Sequence, residues 1–354
     1  MGANLDGDSG DNHGGAVSLS GDGMRLAVGA QKHDKDGASS TEEDHGRVRV
    51  YRWLSFKWEQ LGSDITGEVD DEAGSAVSLS KDGSRLAVGV AQEKSKGTGK
   101  VRVYHYDDVS SDWNKLGADL VGEENEDTFG STVAISGSGA RLAVGAPYHD
   151  PGGLESAGHV RVFEWKKNAV AWSPMGNPIN GNVKGDMSGW SVSLSDDGSR
   201  LALGGIQEES DLTGHVRVYE WNTTAGDWKQ LGADFTADKA EDYFGMSVSL
   251  SADGTHVAIG AKMHDSDGED TKSNIGHVKA YRYNDTSGSW QQLGEDIDGR
   301  KQDEKSGTAV SLSADGTRVA IGAPRYGDEN TLNAGRVTVY QYDPATNWTL
   351  VAVT

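Results

Sequence analysis

The chain has 354 residues, with 33 Lys plus Arg against 55 Asp plus Glu, a formal charge of −22, 49 glycines and no cysteine. The acid excess argues against a nucleic-acid partner, whose phosphates must be met by cations. The missing cysteine removes disulfides, thiolate metal sites and cysteine nucleophiles. No run approaches eighteen apolar residues, and the start Met1-Gly2-Ala3-Asn4-Leu5-Asp6 lacks the basic and apolar stretches of a signal peptide, so a soluble chain without direct membrane insertion is expected.

Four short pieces with strand chemistry follow one another. The first, Val17-Ser18-Leu19-Ser20, alternates apolar and hydroxyl side chains and predicts a strand with two unlike faces. Asp22-Gly23 then supplies the positive φ angles of a tight hairpin. The second strand, Arg25-Leu26-Ala27-Val28-Gly29, puts large side chains on one face and small ones on the other, because side chains alternate along a strand. The third is Val48-Arg49-Val50-Tyr51, and the fourth starts at Trp58-Glu59-Gln60-Leu61-Gly62.

The set recurs. Its second strand reopens at Arg85, Arg141, Arg200, His256 and Arg318, at intervals of 60, 56, 59, 56 and 62 residues. Sustained helical periodicity is absent. Four-stranded sheets whose large residues fill hollows left by small ones on the next sheet pack around an axis, so the sequence predicts an all-β, six-bladed β-propeller of four-stranded antiparallel blades. A single domain 1–354 is expected, with repeats near 8–67, 68–122, 123–181, 182–237, 238–299 and 300–354. The segment Gly2-Ala3-Asn4-Leu5-Asp6-Gly7 matches the latter half of a fourth strand and Trp348-Thr349-Leu350-Val351 the first half, so the N- and C-terminal segments are expected to close the ring, with 1–7 completing the last blade.

Phe129-Gly130 with Gly145-Ala146-Pro147, and Phe244-Gly245 with Gly260-Ala261, resemble the phenylalanyl-glycyl/glycyl-alanyl-prolyl (FG-GAP) repeat, as does the following Gly-x-Val-x-Val-Tyr strand. The resemblance covers essentially the whole chain. Such repeats build the propeller heads of integrin α subunits and other cell-surface proteins. The likeness therefore implies a non-enzymatic extracellular or cell-surface module for binding, adhesion or structural assembly, with a protein or glycan partner or neighbouring subunits of a surface assembly. The alternative is a calcium-dependent six-bladed propeller hydrolase or a lectin-like glycan binder. The family's calcium loop, Asp-x-Asp-x-Asp-Gly between the first two strands, is shortened here to Ser-x-Asp-Gly, so no calcium is assigned to those turns.

Candidate chemistry lies in the other loops. A carboxylate stands six residues before the first-strand Val in every repeat: Asp11, Asp71, Asp127, Asp186, Asp242 and Glu304. Six equivalent carboxylates would either focus a negative field that attracts a cation or a basic partner, or cap their own turns. The loop between strands two and three opens with His33-Asp34, His149-Asp150 and His264-Asp265 in repeats one, three and five. Its alternating carboxylates, Asp34 and Asp36 in one repeat and Asp265, Asp267 and Asp270 in another, offer oxygen ligands at the spacing hard cations want, so Ca2+ is a possible ion although no cofactor is required. His159, His215 and His277 replace Arg47, Lys100 and Arg336 at the head of the third strand, and a polar strand-edge role is expected of them. The repeated Trp reads as packing. Three Asn-x-Ser/Thr sequons, at Asn222, Asn284 and Asn347, fall between strands three and four, which predicts an exposed and possible glycosylation rim. No catalytic set stands out from the repeat.

Overall fold

The computed structural model describes residues 4–8, 10–34, 44–92, 97–206, 213–237, 239, 241–265, 274–327 and 333–354. The chain is a six-bladed β-propeller of four-stranded antiparallel blades, and the one helical turn among the described residues is the 3-10 turn Pro151–Gly153. It divides into two units, Met1–Pro178 and Ile179–Thr354.

In the first unit, blade one is built from His13–Leu19, Arg25–Ala30, Arg47–Leu54 and Lys57–Gln60, in that spatial order. Blade two uses Ala73–Leu79, Arg85–Val90, Lys100–Asp107 and Asp112–Lys115, and blade three Thr132–Ile135, Arg141–Ala146, His159–Lys166 and Ala171–Pro174. In the second unit, blade four comprises Ser191–Leu194, Arg200–Gly205, His215–Asn222 and Asp227–Gln230. Blade five comprises Phe244–Leu250, His256–Ala261, His277–Asn284 and Ser289–Gln292, and blade six Ala309–Leu312, Arg318–Ala323, Arg336–Asp343 and Asn347–Val353.

Successive blades within each unit join in the way the alternation predicts. The small face of blade one, Ala27 with Val48 and Val50, is buried against Val77, Leu79, Leu86 and Val88 of blade two. Ala202, Val216 and Val218 of blade four meet Val248, Leu250, Val257 and Ile259 in the same manner. Each such aliphatic side chain contributes about 1.5–3 kcal/mol relative to exposure. Polar groups stitch the same joints. The Leu79 N–H donates to Ser18 Oγ (2.9 Å), and the Trp113 indole N–H to the Leu61 carbonyl (2.9 Å). Trp172, Trp290 and Trp348 repeat that bond to Leu116, Leu231 and Leu293, so the recurrent Trp is a packing residue with its polar edge satisfied.

The Ser-x-Asp-Gly turn is a closed box. Ser20 Oγ donates to Asp22 Oδ1 (2.6 Å), which also accepts the Met24 N–H, while Gly23 takes φ 69°. Its carboxylate is thus spent on the turn. The corresponding Asp315 is held down at about 2 by its bonds from Ser313 and Thr317.

The last blade is built along its C-terminal strand. Asn347–Val353 is one strand that shifts register between Val339 and Tyr340 and continues to pair Val353 with Thr338. The fourth strand of this blade therefore continues past Trp348 as far as Val353. Residues 4–8 lie outside any strand, and Gly2 and Ala3 lie outside the described residues.

Candidate metal centre and cleft of blade three

The carboxylate before each first strand is the centre of a small buried constellation. Asp11, Asp71, Asp127, Asp186, Asp242 and Glu304 are all buried. Four of them cap their own turn: Asp71 accepts the Glu68 N–H (2.9 Å), Asp127 that of Glu124 (2.9 Å), Asp186 that of Asn182 (2.7 Å) and Glu304 that of Arg300 (2.9 Å). These bonds hold a backbone in which the flanking residues take left-handed φ, 58° and 54° at Asp70 and Glu72 and 70° and 53° at Glu126 and Thr128. At Asp71, Asp127, Asp186 and Glu304 the carboxylate thus holds its own turn, while Asp11 and Asp242 bond to side chains of the loop histidine and, in blade one, Arg47.

What neutralises each carboxylate differs by blade. In blade one, Arg47 reaches Asp11 with Nη2 (3.0 Å). In blade two Lys100 Nζ and Arg102 Nη2 lie 2.7 and 3.0 Å from Asp71. Burial pushes the Asp71 carboxyl up, but these cations and the turn N–H outweigh it and hold the group below its ordinary range. In blade six Arg336 Nη2 stands 3.3 Å from Glu304.

Blades three, four and five have histidine where those three have Arg or Lys. Burial, with the neighbouring His149, pushes His159 down to about 3, and burial beside Arg217 pushes His215 down to about 4, so both rings are neutral near pH 7. This yields a prediction for blade four. An unfolded histidine binds its proton below about 6.5 while folded His215 refuses it until about 4. Its contribution is fully present above pH 6.5 and is lost as pH falls toward 4, by on the order of 3 kcal/mol. Urea midpoints of the wild type and His215→Gln, followed from pH 7.5 to 4, should converge as pH falls; parallel curves would rule the histidine out as an acid trigger.

In blades three and five a second histidine comes from the loop after strand two. His149 Nδ1 donates to Asp127 Oδ2 (3.0 Å), and His264 Nδ1 to Asp242 Oδ2 (3.1 Å). The two histidine rings of each blade lie against each other, with centroids 4.0 Å apart and planes tilted by 40° for His149 and His159, and 3.9 Å apart and stacked for His264 and His277. Burial works against the charged form of His264, but the hydrogen bond it donates to Asp242 prevails and raises it. An acid approaches each histidine pair, Glu123 in blade three and Asp298 in blade five, so that one donor atom from each of the three residues lies within 4.8 Å of the others. The strand-edge role expected of His159 and His277 misses this pairing. The sequence carries a signal only for the carboxylate and the loop histidine, a constant spacing of 22 residues between them in blades one, three and five.

Beside this cluster blade three carries a cleft of about 540 Å³ lined by Glu124, Glu126, Asp127, Asp150, Glu155 and Tyr148 among others. Asp127 belongs to both cleft and cluster. Of the acidic loop residues proposed as cation ligands, Asp34 is half-buried, and Asp265 accepts the Asn274 N–H (2.7 Å). Asp36, Asp267 and Asp270 lie outside the described residues. Asn222, Asn284 and Asn347 are half-buried at the turn between strands three and four, their side-chain carbonyls accepting backbone N–H groups of the turn.

Residues 122–163, the segment that contains this cluster, match the FG-GAP repeat family. No curated protein matches the chain. Among solved structures, the chain resembles a putative 6-phosphogluconolactonase from Bacteroides uniformis, with TM-score 0.61 and 13% identity over 94% of this chain and 83% of that one. It resembles the periplasmic gluconolactonase of Pseudomonas aeruginosa with TM-score 0.57 and 16% identity over 96% and 84% of the two chains. Hydrazine synthase from Kuenenia stuttgartiensis aligns with TM-score 0.57 and 14% identity over 99% and 90%. At these identities the likeness establishes the fold. The neighbours are enzymes, lactonases prominent among them, and nothing in the comparisons points to adhesion. The sequence-based expectation of a non-enzymatic adhesion module is corrected accordingly.

Proposed function

We propose that the chain is a hydrolase of a small, uncharged cyclic ester of the sugar-lactone class, with the cleft of blade three as its substrate site. The observation that carries this reading is the cleft itself, walled by Glu124, Glu126, Asp127, Asp150 and Glu155, whose Asp127 accepts a hydrogen bond from His149. Carboxylates accept hydrogen bonds from sugar hydroxyls, each contributing about 1.5–3 kcal/mol. The same carboxylates repel a phosphate, as does a chain of net charge −22. The lactonase propellers of similar fold support the reaction class.

In such a reaction water adds to the ester carbonyl carbon, the ring C–O bond breaks, and the proton of the attacking water ends on the released ring oxygen, giving a hydroxy acid. His149 is the group around which the water is activated, because the Asp127 bond at Nδ1 fixes its ring and turns Nε2 toward Glu123, 4.0 Å away. Hydrolysis of glucono-δ-lactone, followed by acid release at constant pH, tests the reading. Turnover of the neutral lactone should exceed that of its 6-phosphate, and Glu155→Gln should lower kcat/KM about tenfold. No rate above the uncatalysed reaction, or a preference for the phosphate, would sink it.

A further inference from the structure

We infer that His149, His159 and Glu123 of blade three form a binding site for a divalent transition-metal ion of the zinc class, and that His264, His277 and Asp298 form its repeat-related twin in blade five. This deepens the hydrolase reading at blade three by naming the ion that activates water there, but the binding itself stands on separate observations.

The first is a buried nitrogen. His159 is 1% exposed, and its Nε2 makes no hydrogen bond, a costly state for a buried polar atom that a metal bond relieves. The second is ligand orientation. The Asp127 carboxylate accepts the hydrogen bond from His149 Nδ1–H, which leaves the Nε2 lone pair free for a metal, the arrangement by which carboxylates hold metal-ligating imidazoles. Arg161 Nη1 lies 3.5 Å from Glu123 and steadies the third ligand in turn. Two imidazoles and one carboxylate suit zinc better than calcium, which prefers six to eight oxygens. Neighbouring ligands of a tetrahedral ion with bonds of about 2.0–2.1 Å stand roughly 3.4 Å apart, so donors now within 4.8 Å need side-chain adjustment of about an ångström. Three protein ligands leave the fourth position to water.

Blade one provides the internal comparison. Asp8, Asp11 and His33 gather there in the same way, but Arg47 places its own cation among them, with Nη1 3.1 Å from His33 Nε2 and Nη2 3.0 Å from Asp11 and 3.4 Å from Asp8. Where the third strand begins with Arg, the chain supplies the positive charge; where it begins with His beside a second His, an external ion takes that role.

Cobalt(II) titration of the whole chain near neutral pH tests this, since tetrahedral Co2+ with nitrogen ligands absorbs visibly. Two equivalents are expected, displaced by zinc and not by calcium. His159→Arg should copy blade one, lower affinity at one site by about 100-fold or more and leave one equivalent; adding His277→Arg should leave none. X-ray absorption of the zinc-loaded wild type should report imidazole ligands, which keeps the proposal testable if a variant fails to fold. Absence of uptake, uptake unaltered by both substitutions, or an all-oxygen shell would overturn the assignment. Metal uptake without lactone hydrolysis would sink only the proposed reaction.

Discussion

Asp71→Asn should lower folding stability by about 3–5 kcal/mol, read as a shift in the urea or thermal midpoint. The carboxylate is 1% exposed and receives the Glu68 N–H together with Lys100 and Arg102. An amide removes the charge but not the two cations, whose side chains are only 15% and 11% exposed. The loss comes mostly from the uncompensated charge left behind rather than from the pair itself. Lys100→Met in the Asp71→Asn background should therefore recover part of the loss. A change below about 1 kcal/mol for Asp71→Asn alone would mean that water or the nearby Glu68 and Asp119 already satisfy the cations.

The second large effect is steric. A Cβ on Gly89 would overlap the carbonyl oxygen of Gly130 in the next blade, and both partners are backbone, so neither yields as the end of a flexible side chain would. Gly89→Ala is expected to destabilise by about 2–3 kcal/mol by forcing apart the joint of blades two and three. Gly204 and Gly260 meet the carbonyls of Gly245 and Gly307 in the same way. A change within about 0.5 kcal/mol for Gly89→Ala would refute a steric origin in the joint.

This close approach also explains why the family pattern pairs a Gly before the first strand with a Gly in the second. The first stands at φ 98° in Gly130 and offers its carbonyl, and the second leaves room for it. The architecture was legible in the sequence for that reason: backbone contact demands glycine, strand alternation demands large and small faces, and both recur at nearly fixed intervals. The register shift in the last blade was not legible, because it is settled by the pairing of Ala352 and Val353 with Val339 and Thr338.

The site was only half legible. Asp127 and His149 stood out as repeat positions, but nothing local connects them with His159, since the bond between Asp127 and His149 and the stacking of the two rings arise from the loop folding back over the strand. Glu123 is harder still, because it follows the last strand segment of blade two and reaches the cluster by position in space. The six carboxylates were visible as a set, yet their burial depends on left-handed turns at residues such as Glu126 and Thr128, which carry no glycine to announce them.

Each interior joint is written half in one repeat and half in its successor: the Leu61 carbonyl awaits the indole of Trp113, and the Leu116 carbonyl awaits that of Trp172. A gene segment duplicated or exchanged at a repeat boundary therefore carries both a plug and a socket, and recombination leaves every seam chemically familiar. The loop after the second strand takes no part in those plugs and sockets, which leaves it at liberty to diverge between siblings, and it is there that His149 and His264 arise while the scaffold around them stays uniform.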